Sequence, residues 1–438
     1  MIEPDQVMPG QPHLWYTLVR PSRGVLATLR EHGDAEDLRR RLEQTYAALP
    51  PGQSLAVFHS QKRSPFVAGS WQETFFVLPS GGGARALLSA QTTEGFHLGI
   101  PLMPGGRLRT RIMRACMRLP FVRQALCAQA REKLTMVTKP EAPSDQSQWQ
   151  TFQTPVAVVE GVPGPLQKLV VLHLDGKHKH IYKLAGTPLA RRAIDHEIQA
   201  LTTLHGSGLA PKLVARDYSV LPTWFAQEII RGVRPKPALT PAVLTWLTSL
   251  ATRKHDHWLP QNVVPSLYDG RDWGKVAPAF EPLANVTRHC WTGGSIPCTQ
   301  SHGDFTPWNT RLHDGRLMAF DWEFYSPARP ALFDIFHYLL QTAVLLQQVP
   351  AEQALDRAFR ILRGPAQPLV RVAGVADFEI EPLAALYLLL VSERDSILHH
   401  IERPGFDQVA WLGAARAMWA TDLCGRLEQL LERYQIAS

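Results

Sequence analysis

Ser301–Phe324 reads SHGDFTPWNTRLHDGRLMAFDWEF. Within it His302, Asp304 and Asn309 form the pattern H-x-D-x-x-x-x-N, and Asp321 follows the apolar run Leu317–Phe320. Phosphoryl transfer accounts for this choice of groups. One carboxylate orients an attacking hydroxyl and accepts its proton, while an amide oxygen and a second carboxylate hold magnesium on the phosphates. Asp314–Gly315 is a hairpin signal, so Asp304–Asn309 is expected on a loop ahead of one short strand and Asp321 just past the next. A buried turn, with the histidine capping a carbonyl and the aspartate capping a helix, would use the same letters.

Upstream, Val156–Val159, Leu169–Leu174 and His180–Leu184 are β-rich runs separated by Gly161/Gly164 and Asp175–Gly176, the pattern of an antiparallel meander. A helix is expected from about Pro188 to His205, then two more strands at Leu213–Ser219 and Thr223–Ile230, completing a five-stranded sheet with one helix. From Thr240 onward the pattern turns helical. The fold class expected is α+β, a small sheet lobe followed by a large helical lobe, with ligand bound between lobes. Lys183 ends the third strand and Glu197 falls in the following helix. An exposed lysine and a helix-face glutamate are common in any protein.

Taken together, these stretches resemble the kinase-like small-molecule phosphotransferases, the group that includes aminoglycoside phosphotransferases and choline kinases. HGDFTPWN resembles that family's catalytic loop and FDWE its metal-binding segment. The resemblance implies a bilobal, protein-kinase-like fold with a five-stranded antiparallel N-lobe over residues 152–231 and a helical C-lobe over 232–438. It implies ATP and magnesium as cofactors, and an alcohol group of a sugar, aminoglycoside or amino alcohol as acceptor. Asp304 would be the catalytic base, His302 a loop-orienting residue, Asn309 and Asp321 the magnesium ligands, and Glu323 a brace for the metal segment. Lys183 would lie on the α- and β-phosphates, held by Glu197. Gly161 and Gly164 would cover the phosphates, in a loop whose Pro163 and Pro165 remove amide donors. The Glu228 carbonyl and Ile230 amide would read the adenine edge, although an edge strand turning at Gly232 reads identically. Asp334, in PALFD, is expected to tie the catalytic loop, and Ile335–Gln348 to be core. A nucleotide-binding pseudokinase or scaffold is the alternative, and the intact set of residues argues against it. A protein kinase is disfavoured because no Ala-Pro-Glu segment follows Asp321 before Pro330.

The chain has 438 residues, 45% of them hydrophobic and 19% charged, which excludes disorder and predicts two or three lobes. No apolar window approaches a membrane span, and the amino terminus lacks the pattern of a secretory signal, so the default location is the cytoplasm. Cys116, Cys127, Cys290, Cys298 and Cys424 are odd in number and lack zinc spacing, which fits free thiols. Residues 141–151, rich in Pro, Ser and Gln, mark a linker. Before it, residues 1–140 form an extra small α/β N-terminal region with a helix at Asp34–Ala48 and strands at Ser54–His59, Glu73–Leu78 and Ala84–Ala90. The family resemblance does not extend to this region. It carries 18 Lys or Arg against 10 Asp or Glu, without a nucleic-acid motif. Arg107, Arg111, Arg114 and Arg118 would share one face of a helix over 106–119, with Leu108, Ile112, Ala115 and Leu119 on the other side. Such a face could make peripheral contact with a membrane or an acidic partner, but the favoured expectation is a solvated arginine face over a domain core. The acceptor, for which a saccharide is the guess, would lie near Glu393, Asp395, His399 and His400, where an acidic pair suits a cation.

Overall fold

The computed structural model describes residues 25–30, 35–48, 54–59, 71–78, 86–90, 93–100, 108–119, 121–122, 125, 133–139, 155–160, 166–175, 178–218, 220, 222–253, 255–399 and 407–437. The stretch 141–151, Gly161, Gly164, Arg107, Cys127 and His400 lie outside them, as do Gly81–Gly83. The chain divides into two compact units, Met1–Ile194 with Leu213–Ile229, and Asp195–Lys212 with Ile230–Ser438.

The first unit is built on one sheet. Its strands in chain order are β1 (Val25–Arg30), β2 (Ser54–His59), β3 (Trp71–Leu78), β4 (Ala86–Ser89), β5 (Lys133–Thr138), β6 (Pro155–Glu160), β7 (Lys168–Asp175), β8 (His178–Ala185), β9 (Leu213–Arg216) and β10 (Trp224–Glu228). They lie in the order β1-β2-β5-β3-β4-β6-β7-β8-β10-β9. Only β1 and β2 are parallel neighbours; every other pair is antiparallel. The meander β6-β7-β8 and the two strands beyond it are therefore present as expected. The expected five-stranded sheet is corrected, however, because those strands are one half of a ten-stranded sheet.

The join is β4 on β6, with Ala86 opposite Val159 and Leu88 opposite Ala157. Left alone, β6 would present an edge of unpaired backbone groups, and pairing with β4 removes that edge. A shared core seals the join: Phe76, Leu88, Phe96 and Ile100 from the first region pack with Ala157, Val159 and Leu172. A smaller core forms where Leu38 and Leu42 of the helix Ala35–Ala48 meet Leu55, Val57 and Val137. These buried aliphatic and aromatic side chains each contribute roughly 1.5–3 kcal/mol.

The second unit is mainly helical, with helices Pro241–Ala251, Phe280–Cys290, Phe333–Leu345, Ala351–Arg363, Ile380–His399 and Asp407–Ala437. Thr240 caps the first of these, its hydroxyl accepting the Val243 amide at 3.4 Å, and Pro241 begins it. Two small sheets stand among the helices. One pairs β11 (His255–Trp258), β12 (Ile296–Ser301) and β15 (Ser326–Pro330), and the other is the hairpin of β13 (Thr310–His313) and β14 (Arg316–Ala319). Asp314 and Gly315 turn that hairpin with φ of 48° and 74°, both left-handed, as the Asp-Gly signal requires. Among the described residues no helix is long and apolar enough to cross a membrane, and Cys116, Cys290, Cys298 and Cys424 are free thiols.

Candidate active site

Strand β12 delivers the chain into His302–Asp304, and the hairpin β13–β14 carries it from Asn309 back to Asp321. The Phe320 amide donates to the Asn309 carbonyl at 3.0 Å, which continues the ladder one step past Thr310–Ala319 and sets Phe320 opposite Asn309, with Asp321 the next residue in the chain. The expectation of a loop, a strand, a turn and a second strand is thus met by the backbone. Asp321 adopts a left-handed φ of 71°, unusual for a residue with a side chain and typical of positions held for function.

Asp334 holds the loop from below. Its carboxylate accepts the Ser301 hydroxyl at 3.0 Å, the His302 amide at 2.7 Å and the Gly303 amide at 2.9 Å. Gly303 has φ of 84°, and a Cβ there would stand 2.3 Å from the Phe324 carbonyl oxygen and 2.4 Å from an Arg329 nitrogen, so only glycine fits. His302 is fully buried; its Nε2–H donates to the Phe320 carbonyl at 3.0 Å and its Nδ1 accepts the Asp304 amide at 3.2 Å. It ties the loop that follows β12 to the strand that leads into Asp321. Trp246 stacks on Phe305 at 4.2 Å, and Trp322 lies 4.4 Å from the His302 ring, packing the loop from the core side.

Both oxygens of Asp304 are engaged. The Asn309 amide donates to Oδ2 at 2.8 Å and to the Asp304 carbonyl at 3.1 Å, which leaves Asn309 Oδ1 as that side chain's acceptor. The other oxygen takes a hydrogen bond from His337 Nε2 at 2.7 Å. His337 is buried, and its Nδ1 accepts from the Tyr387 hydroxyl at 3.3 Å. Asp304 itself remains open to solvent, with 25% of its side chain exposed.

Sequence reading missed His337 because it sits inside an apolar helical run assigned to core. The signal that would have found it is its spacing: three residues past Asp334, on the same helix face as the acid that anchors the loop. Arg394 was also missed; it donates to the Gly303 carbonyl at 2.8 Å and lies over the Phe324 ring at 4.4 Å.

Burial lowers the pKa of both His302 and His337, outweighing the nearby carboxylates that would raise it. Both are therefore neutral in the fold. A neutral folded histidine favours unfolding once the unfolded chain can bind the proton, so this stability is complete above the ordinary value of 6.5 and is lost as pH falls below it. The melting temperature is expected to fall on acidification from about pH 7 to about pH 5, ahead of carboxylate titration. His337→Gln, which keeps a donor toward Asp304, should flatten part of that fall. A melting temperature independent of pH over this range would contradict the neutral pair.

The other sequence-assigned residues are placed as follows. Glu197, in the helix Pro188–Thr203, is fully buried and accepts the Trp322 backbone amide at 3.3 Å, beside Asp321 in the chain. Lys183 lies on β8 in the other unit, 5% exposed, with its ammonium 5.8 Å from the Phe225 ring centroid. Glu228 closes β10 and is exposed, while Ile230 opens the second unit.

The expected acidic acceptor pair is corrected. Arg271 pairs with Glu393 at 2.6 Å, and the Ser266 hydroxyl donates to it at 2.8 Å. Asp395 lies between Arg394 at 3.0 Å and Arg416 at 2.6 Å. Burial opposes its ionisation, yet the two guanidinium groups hold its pKa down to about 2. Both carboxylates are already paired with arginines within the fold.

No family model matches the sequence, and no curated protein matches it. Solved structures do. An aminoglycoside phosphotransferase in complex with ADP and hygromycin B is 12% identical over 65% of this chain and 98% of that one, with a TM-score of 0.43. A choline kinase from Streptococcus pneumoniae is 15% identical over 59% of this chain and 89% of that one, TM-score 0.38. An amicoumacin kinase in complex with AMP-PNP, Ca2+ and Ami is 13% identical over 64% of this chain and 94% of that one, TM-score 0.40. The chain is similar to these small-molecule phosphotransferases at low identity.

Proposed function

We propose that the protein is an ATP- and magnesium-dependent phosphotransferase that phosphorylates a hydroxyl of a small molecule. The observation that carries the reading is the Asp304 carboxylate, partly exposed at a rigid loop and oriented by His337 on one oxygen and Asn309 on the other. A carboxylate held this way points a free lone pair at an incoming hydroxyl and takes its proton as the oxygen attacks the γ-phosphorus.

Asn309 Oδ1 and the Asp321 carboxylate are the oxygen donors that would hold magnesium, which keeps several waters and takes its remaining ligands from phosphate rather than from a full protein cage. When bound, the metal neutralises charge on the phosphates. In this reading Lys183 would supply a cation for the α- and β-phosphates, Glu197 would serve the same role as in the family's lysine–glutamate pair, and Glu228 and Ile230 would read the adenine edge through their backbone groups. Glu323 braces the metal segment. The neutralised Glu393 and Asp395 favour an uncharged hydroxyl acceptor, such as a saccharide, over a polycationic aminoglycoside.

Titration calorimetry with ATP tests the metal role. Affinity is expected to fall at least about tenfold when EDTA replaces magnesium, because Asn309 and Asp321 gain contact with the nucleotide only around the ion. Equal affinity in both conditions would remove the metal from the site. Nucleotide binding with no ADP formed in the presence of any hydroxyl acceptor would favour the scaffold reading.

A further inference from the structure

The helix Leu108–Met117 was expected to turn its apolar side toward a core and its arginines to water. Among its described residues Met117 is the buried one, 5% exposed, packed in the core with Phe76, Leu88 and Phe96. Ile112 is 55% exposed, Met113 42% and Leu119 43%, and Phe121 just beyond is 63% exposed. Ala115, Cys116 and Arg118 are exposed as well. At 100° per residue, Ile112, Ala115 and Cys116 fall on one strip of the helix and positions 111 and 114 on the strip beside it, with Arg118 and Leu119 in the turn that follows. From residue 95 to residue 131 the chain carries seven arginines and no acidic residue.

We propose that this helix and Phe121 form a docking surface for an anionic lipid bilayer. A bilayer offers a plane of negative headgroups directly above hydrocarbon, which complements a basic strip running alongside an apolar one. Arginine suits such a boundary, since its stem lies along apolar surface while the guanidinium meets phosphate. An acidic protein would satisfy the arginines and leave four large apolar side chains in water. Four such side chains grouped at one helix exceed the scattered exposure of an ordinary surface. The surface belongs to the first unit and is independent of the phosphotransferase reading.

Co-sedimentation of the full chain with vesicles tests it. Binding to phosphatidylcholine vesicles containing a third phosphatidylglycerol should exceed binding to phosphatidylcholine alone by about tenfold or more, and should weaken as salt is raised. Substituting Ile112→Ser, Leu119→Ser and Phe121→Ser together should remove most of the binding, with the melting temperature preserved because all three are exposed. Substituting Arg111→Gln, Arg114→Gln and Arg118→Gln should abolish the preference for anionic vesicles. Absence of wild-type binding to either vesicle overturns the proposal without recourse to variants. Wild-type binding left unchanged by the apolar substitutions would overturn it in favour of an acidic protein partner.

Discussion

Asp304→Asn is expected to lower phosphotransfer turnover a thousandfold or more, on the order of 4 kcal/mol in the barrier, while leaving folding and nucleotide affinity near wild type. The amide keeps the shape of the carboxylate and loses its basicity. It also finds partners. Asn309 donates to one oxygen and His337 Nε2 to the other. The new amide nitrogen can face His337 if that ring moves its proton to Nδ1 and the Tyr387 hydroxyl turns to accept it, since the hydroxyl both donates and accepts. Burial keeps His337 neutral, so this exchange leaves no charge stranded. Steady-state kinetics and thermal melting together decide the matter. A variant that unfolds while its soluble fraction keeps full turnover would make Asp304 a structural cap.

Asp334→Ala should behave in the opposite way. Its carboxylate is 6% exposed and receives three donors, so truncation leaves the Ser301 hydroxyl and the His302 and Gly303 amides without their acceptor. A loss of about 3–5 kcal/mol in stability is expected, with turnover collapsing because Gly303 and Asp304 lose their anchor. Denaturant unfolding measures the first effect directly. An unfolding midpoint equal to wild type would show that the loop holds its geometry without Asp334.

Local patterns were legible in the sequence and distant pairings were not. Asp314–Gly315 announced its hairpin because a two-residue turn with both φ positive leaves a compositional mark. The spacing of His302, Asp304, Asn309 and Asp321 was readable because one loop and one hairpin hold all four. The pairing of β4 with β6 left no such trace, since Leu88 and Ala157 meet across nearly seventy residues and each strand reads as an ordinary amphipathic run. Two of the partners that neutralise Glu393 and Asp395 are similarly remote, since Arg271 and Arg416 come from opposite sides of the helix Ile380–His399 in sequence; Arg394 alone adjoins its partner Asp395. A carboxylate's neighbours in sequence do not reveal whether it is spent. His337 was hidden differently, by the apolar letters around it. The helix Phe333–Leu345 is buried on nearly every side and so lacks the polar face that would have marked a functional position.

The central claim is that Asp304 directs a hydroxyl onto the γ-phosphate of ATP. The most direct measurement is phosphorus NMR of the full chain with ATP, magnesium and a panel of sugars, amino alcohols and aminoglycosides. The account predicts that the γ-phosphate signal is replaced by a phosphomonoester with ADP in equal amount, for an uncharged hydroxyl compound, and that the Asp304→Asn protein forms neither. ATP bound and left intact with every acceptor, or a phosphomonoester formed equally well by Asp304→Asn, would contradict it.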